Sequence, residues 1–414
     1  VKPLREAQRE VLAAMEPLPA EAVPLDHALG LALAQPVTAP HDVPPFANSA
    51  VDGFAVVAAD TAAFPVTLAV LEDVPAGATP RRRVRPGSAT KIMTGAPLPE
   101  GADAVVMVEE TTAGGDGSVV IGAAVEPGTA VRPAGGDVRA GQVVLDAGTR
   151  LGPAHVALLG ALGIAAPLVG RRPRVALMST GDEVLPADAA SLPPGAIRDA
   201  NRPMLKALLT ELGAEVMDLG IVPDDAVRLR AALHEGRASA DCVVTSGGVS
   251  MGEYDLVKQV LGDLGDVEFW KVAMQPAKPF AFGFLGTTPL FGLPGNPVSV
   301  MVAFEQFVRP ALLTRMGARS VFRRRLPGVM GERVVTAEEK TVFLRVSVDR
   351  GDAGWTASLS GGQDSNVLSA LAEAEAFAVV PAGIGVLEAG EPVEMEMFRW
   401  PEARPAEEVL RWTT

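Results

Sequence analysis

The residues best suited to chemistry fall between Ser179 and Ser299, each group at the end of a short apolar run. In Thr245-Ser-Gly-Gly-Val-Ser-Met-Gly252, Gly247 and Gly248 lie among the hydroxyls of Thr245, Ser246 and Ser250, and Asp255 follows. Glycines let backbone N–H groups close on an anion, and hydroxyls add donors. A purely steric tight turn and an anion cradle explain this run equally well, and Asp255 suits either a metal ligand or a helix N-cap. Ser179-Thr-Gly-Asp-Glu183 adds two hydroxyls (Ser179, Thr180) and two carboxylates, and Pro223-Asp-Asp225 two more. Glu183, Asp224 and Asp255 on one rim would suit Mg²⁺, which takes carboxylate, phosphate and water oxygens. Taken singly, Asp224 or Asp225 is more simply an N-cap of the helix that follows. Lys271 and Lys278 flank the proline-stiffened segment Val272–Ala277, which carries Gln275, and could hold an anion. Gly292-Leu-Pro-Gly-Asn-Pro-Val-Ser299 reads as a strand-to-helix junction: Pro294 fixes the path, Gly295 admits a ligand, and Asn296 leads to Ser299 in the first helical turn. Helix N-termini favour oxyanions.

These residues need a scaffold that brings strand ends together. From 174 to about 312 the pattern alternates: strand Arg174–Met178, helix Asn201–Leu212, strand Glu215–Ile221, helix Asp225–Glu235, strand Asp241–Thr245. Strands Phe280–Phe284 and Leu290–Leu293 and a helix Val298–Val308 follow. Such alternation predicts a doubly wound α/β domain with its ligand beyond the strand C-termini. Residues 40–137 change to short β-prone runs (54–57, 66–71, 104–108, 119–121) cut by Gly and Pro, as in a small inserted all-β domain. Before and after it, Leu4 to Met15, Asp26–Ala34 and residues 151–170 carry helical patterns. Arg323-Arg-Arg325 reads as a solvated linker, and the remainder, with a strand at Thr341–Val348, as a second small β domain. The expected division is 1–39 with 138–170, 40–137, 171–318 and 319–414.

Composition sets outer bounds. A 414-residue chain predicts about two to four domains. A net charge of −14 argues against nucleic-acid or anionic-membrane surfaces, leaving any anion to local lysines, backbone N–H groups and a cation. Cys242 is the single cysteine, which rules out an intramolecular disulfide. No apolar run approaches about 20 residues, so no spanning helix is expected. Val1-Lys-Pro-Leu4 lacks a signal-like apolar region, which points to the cytoplasm. His27, His41, His155 and His234 have no zinc-like spacing, and no Gly-x-Ser-x-Gly elbow supports a hydrolase. Asn48-Ser-Ala-Val-Asp-Gly53 and Met93-Thr-Gly-Ala-Pro97 are, by chemistry alone, turn-rich loops.

Those two loops, with Ser179–Glu183, Ser246–Gly252, Lys278-Pro-Phe-Ala-Phe282 and Gly292–Ser299, resemble in order and spacing the molybdopterin molybdenumtransferase family (MoeA and the gephyrin E domain). The resemblance spans essentially the whole chain. It implies insertion of molybdate into adenylylated molybdopterin with release of AMP, assisted by Mg²⁺. The implied fold has an elongated helical N-terminal domain, an inserted β domain, an α/β pterin-binding domain and a C-terminal β barrel. The implied assembly is a homodimer whose site is shared between protomers. Carried over by position, Asp52, Thr94 and Asp137 would reach the site from the partner protomer, and Glu183, Asp224 and Asp255 would be the essential acids. Lys271, Lys278 and Ser299 would hold the pterin phosphate or molybdate, with Arg345 and Ser365 offering further molybdate contacts. The chain departs from the family at Gln275, where many members have lysine, and at Ala277, where glycine is usual. Val51 and Phe54 replace Met and Tyr with similar size.

Two other readings share parts of this pattern. A molybdopterin adenylyltransferase has the Ser-Gly-Gly signature in a single domain, but the region with Asp52 and Thr94 and the C-terminal β region argue against it. That enzyme remains an expected partner that would deliver substrate. A non-catalytic dimeric scaffold of the same fold need not retain Glu183, Asp224 and Asp255 together.

Overall fold

The computed structural model describes residues 1–248, 256–351 and 354–400. Its centre is a six-stranded sheet in the order Glu215–Val222, Arg174–Thr180, Cys242–Ser246, Thr288–Leu293, Pro279–Leu285, Asp266–Lys271. The first four strands are parallel, and the last two continue antiparallel. Runs such as Val175-Ala-Leu-Met178 and Cys242-Val-Val244 are apolar at every position because both sheet faces are covered. Val175, Leu177 and Val244 pack toward the helices Asn201–Leu212 and Pro297–Ala303. Ala176, Met178 and Val243 pack toward Ala226–Ser239 and Leu256–Leu264. The expected doubly wound layout is therefore present, with strand Asp266–Lys271 added at the edge. Asn201–Leu212 ends where Gly213 turns left-handed at φ 96.

Residues 53–121 form a separate six-stranded sheet, mixed in direction. The chain enters and leaves it through paired ladders, Asn48–Ser49 with Val131–Arg132 and Val37–Thr38 with Val143–Leu145. A third ladder, Ala20–Ala22 with Leu168–Gly170, closes the N-terminal region, which also holds the helices Leu4–Ala13 and Pro153–Ala161. The helix expected over Asp26–Ala34 is reduced to one 3₁₀ turn, Leu25–His27. Gly30 takes φ 80, and Ala32 and Leu33 then bridge to Arg150 and Val169, so tertiary pairing overrides the helical spacing.

At the C-terminus, Thr341–Gly351, Gly354–Leu359, Arg325–Met330, Pro392–Met397 and Ala376–Val380 close into a five-stranded barrel. Met274–Gln275 leaves the α/β region and pairs in parallel with Thr341–Val342, so the barrel docks beside the strand ends of the central sheet.

The helix expected over Val298–Val308 runs on to Arg315, with a π-helical stretch at Phe304–Val308 that is buried throughout. The Gln306 amide donates to Glu396 Oε1 at 2.6 Å and the Gln8 amide to Gln306 Oε1 at 2.9 Å, tying barrel, central helix and N-terminal helix together. Glu305, 1% exposed, accepts both arms of Arg323 at 2.8 and 2.9 Å. The triple arginine is thus no simple solvated linker: Arg323 turns inward to neutralise a buried carboxylate, and Arg325 pairs with Glu394.

Candidate functional site

The C-terminal ends of the four parallel strands open into a crevice of about 1210 Å³, with the barrel forming its opposite wall. Thr180 and Glu183 reach it from the first strand end, Asp224 from the second, Gly247 and Gly248 from the third, and Pro294, Gly295, Asn296 and Ser299 from the fourth. The segment Met274–Pro279, with Gln275 and Lys278, crosses its mouth, and Gln363, Asp364 and Ser365 enter from the barrel.

The glycines here serve different purposes. A Cβ on Gly247, at φ 93, would sit 2.7 Å from the Thr180 carbonyl, so only glycine lets these strand ends lie this close. A Cβ on Gly248 would strike Val257 at 2.2 Å. Gly295 would meet nothing within 4 Å; its missing side chain leaves open backbone at the crevice wall, where a ligand can approach. Ala277 holds φ 70, a left-handed conformation that costs a non-glycine residue about 1–2 kcal/mol and that glycine would adopt freely.

The two aspartates after Pro223 have separate roles. Asp225 is the N-cap of Ala226–Ser239, its Oδ1 accepting the Arg228 N–H at 2.8 Å. Asp224 is held by its own N–H, which donates to Asp182 Oδ1 at 3.0 Å, and its carboxylate is left to line the crevice. The barrel side is held by Ser365: its Oγ accepts from the Asn296 amide at 2.8 Å and its carbonyl accepts the Val298 N–H at 3.2 Å.

Several expected residues lie elsewhere. Ser179 and Ser246 are buried behind the crevice wall, where Ser246 Oγ donates to the Pro294 carbonyl at 3.5 Å. Lys271 is exposed on the edge strand and does not line the crevice. Arg345, 0% exposed, likewise stays out of the crevice; it donates to the carbonyls of Gly362 and Asp364 at 2.7 and 3.2 Å and so positions the loop that carries Ser365. Burial lowers its pKa from the ordinary value, with Asp364 opposing. Ser250 and Asp255 lie outside the described residues. Asp52, Thr94 and Asp137 are exposed on the N-terminal half of the chain and do not line this crevice. Asp52 Oδ1 accepts both the backbone N–H and the hydroxyl of Thr94, at 2.7 and 2.8 Å, which holds its pKa below the ordinary carboxylate value.

Sequence reasoning missed Lys340, Gln363 and Asp364 in the crevice wall. Lys340 follows two glutamates and carries no motif, and its place is set by the pairing of Met274–Gln275 with Thr341–Val342. No local signal could have found it.

The donor set bears on Mg²⁺. Among the described residues no group of three or more His, Cys, Asp or Glu side chains is placed to hold a metal ion. Of the expected acids, Glu183 and Asp224 line the crevice, and Asp364 joins them from the barrel side. One or two carboxylates suffice for Mg²⁺ when a substrate phosphate supplies further oxygens.

A crevice beyond the parallel strand ends of an open α/β sheet, lined by glycines, hydroxyls, two lysines and carboxylates, defines a site for a small anionic molecule. Comparison with known proteins narrows the class. Residues 2–163 match the MoeA N-terminal region (domain I and II), 176–314 the "Probable molybdopterin binding domain", and 327–398 the MoeA C-terminal region (domain IV). Molybdopterin molybdenumtransferase 2 of Mycobacterium tuberculosis is 40% identical over 405 residues, covering 95% of this chain and 99% of that protein. The molybdopterin molybdenumtransferase of Haemophilus influenzae is 38% identical, covering 92% and 95%. A crystal structure of the molybdopterin biosynthesis moeA protein from Pyrococcus horikoshii OT3 superposes with a TM-score of 0.82 at 29% identity, covering 96% and 100%. The chain belongs to the MoeA family.

Proposed function

We propose that this chain is a molybdopterin molybdenumtransferase, inserting molybdate into adenylylated molybdopterin and releasing AMP to form molybdenum cofactor. The observation that carries the reading is the crevice itself, which brings Glu183 and Asp224 together with Lys278, Ser299 and the Gly247–Gly248 turn. Full-length likeness to curated relatives of that name supports it. Lys278 and the hydroxyl of Ser299 are suited to hold a tetrahedral oxyanion, and the open backbone at Gly295 lets a phosphate or molybdate oxygen come close. Glu183 and Asp224 would hold Mg²⁺ with the substrate phosphate, and the ion would neutralise charge on the departing AMP. Asp255 completes the proposed acid set.

Asp52, Thr94 and Asp137 fit the reading through a second copy of the chain. We assign them to the crevice of the partner in a homodimer, with 40–137 as the domain that reaches across. The adenylylated pterin would come from a molybdopterin adenylyltransferase, in the cytoplasm. No helix among the described residues is long and apolar enough to cross a membrane.

The test is single-turnover AMP release from adenylylated molybdopterin with and without molybdate and Mg²⁺. Molybdate-dependent release that is lost in Glu183→Gln with unchanged thermal unfolding is expected. Release indifferent to molybdate sinks the transferase reading. Mixing Asp52→Asn with Glu183→Gln protomers should regenerate activity, because each mixed dimer has one intact site; no recovery on subunit exchange refutes the shared site.

A further inference from the structure

We propose that Arg150, Arg309 and Arg323 form an anion site apart from the crevice, taking one small monovalent anion of halide size such as chloride. The inference stands independently of the transferase reading, because the cavity between these arginines shares no lining residue with the crevice.

The three guanidiniums come from distant parts of the chain and meet at a cavity of about 40 Å³. Arg150 lies just before the helix Pro153–Ala161, Arg309 on the long central helix, and Arg323 on the connector into the barrel. Cations drawn this far out of water need anionic partners, and the supply is short. Glu305 is shared: Arg323 grips it through Nε and Nη2 at 2.8 and 2.9 Å, while Arg309 Nε stands off at 3.8 Å. Arg309 Nη1 donates to the Val321 carbonyl at 2.9 Å. Among the described residues Arg150 pairs with no carboxylate; its Nε and Nη2 donate to the carbonyls of Gly30 and Leu212, both at 2.9 Å. Nη1 of Arg150, Nη2 of Arg309 and Nη1 of Arg323 therefore keep their N–H groups without a partner among the described residues.

Burial lowers the Arg150 pKa and Arg323 lowers it further, with Glu211 opposing. Burial likewise pushes the Arg309 pKa down to about 10, with Glu305 opposing the fall and Arg323 and Arg150 adding to it. The three cations thus repel one another around the cavity, and the other acids nearby do not relieve this. Glu211 lines the cavity but is exposed and makes no ion pair among the described residues. Glu396 is committed to the Gln306 amide at 2.6 Å and to Arg325 at 3.4 Å. An anion held by the unpartnered N–H groups would offset the repulsion through charge-assisted hydrogen bonds. Size selects its class. One water occupies about 30 Å³ of liquid, so this cavity suits a single halide-sized ion and excludes the phosphates and nucleotides that need the crevice. Leu208 and Phe304 supply apolar wall, which favours a monovalent ion over a dianion, whose desolvation costs more. Seated there, the ion would tie the N-terminal region, the central helix and the barrel connector at one point.

The experiment pairs anomalous diffraction from bromide-soaked crystals of the full-length protein with thermal unfolding in sodium chloride against sodium gluconate at matched ionic strength. An anomalous peak between the three guanidiniums is expected. Chloride should raise the unfolding midpoint by roughly 2–4 °C for each tenfold above its dissociation constant, as for a ligand of the folded state alone. Arg150→Met should lose both the peak and the chloride dependence. Glu211→Gln, a change at an exposed residue, should tighten chloride binding a few-fold because the rim carboxylate no longer competes, and it decides the matter if Arg150→Met does not fold. A cavity holding only water, or a carboxylate of a second copy of the chain, overturns the proposal. So does a chloride effect that Arg150→Met leaves unchanged, or a chloride affinity in Glu211→Gln equal to wild type.

Discussion

Asp224 and Asp225 are neighbours in sequence whose surroundings separate stability from chemistry. Asp225 closes an N-cap at 2.8 Å to the Arg228 N–H, and Asp225→Ala removes that acceptor. The expected cost is about 1 kcal/mol, which for a domain of this kind lowers the unfolding midpoint by about 2–4 °C. Turnover should be unchanged, since Asp225 does not line the crevice. Asp224→Asn preserves the shape, and the backbone bond from its N–H to Asp182 Oδ1 remains, so the midpoint should stay put. What is lost is one crevice carboxylate, and AMP release should fall by about 10²–10³-fold, the scale of a single removed electrostatic contributor. Thermal unfolding by circular dichroism and single-turnover AMP release, run on both variants, decide the matter. The reasoning is refuted if Asp225→Ala abolishes turnover while folded, or if Asp224→Asn loses several degrees and keeps its rate.

Two further expectations concern parts that support the site. Arg323→Ala strips both short bonds from the buried Glu305 and leaves it, among the described residues, only the Arg309 ion pair at 3.8 Å; a loss of about 3 kcal/mol is expected, read as a lower denaturation midpoint, and a shift near zero would show that Glu305 needs no such partner. Thr94→Val removes one of the two donors that lower the Asp52 pKa. The lowered value means that this hydrogen bonding is held above the ordinary carboxylate pKa and lost as pH falls through the folded one. In the variant Asp52 should titrate higher than in wild type, as followed by carboxyl NMR shifts, and an unmoved midpoint would assign the effect to the backbone N–H alone.

The α/β layout was legible because two-sided burial writes itself into sequence as unbroken apolar strands, and Asn201–Leu212 as a periodic helix closed by Gly213. The strand-end motifs were legible as glycine-bearing breaks after apolar runs, but why glycine is needed at 247, its approach to the Thr180 carbonyl, is set across the sheet. Resemblance supplied Asp52 and Thr94, which as residues alone read as ordinary turns. Local pattern misread Asp26–Ala34, where pairing to Arg150 and Val169 outweighed helical spacing.

The sequence by itself determined which strand ends must converge and which residue types arrive there, since these follow from periodicity and chain geometry within one folding unit. It could not choose between Asp224 and Asp225 for the cap, bring Lys340 and Ser365 across from the barrel, or send Ser179 and Arg345 behind the wall. The Asp225 cap is settled locally, three residues from Arg228; the other outcomes depend on docking between segments far apart in the chain, where the short ladder at Met274–Gln275 and the hydrogen bonds from Asn296 and Val298 to Ser365 set the geometry. Only the tertiary structure decided them, because the energies that fix such seams belong to pairs of surfaces and leave no period in either sequence.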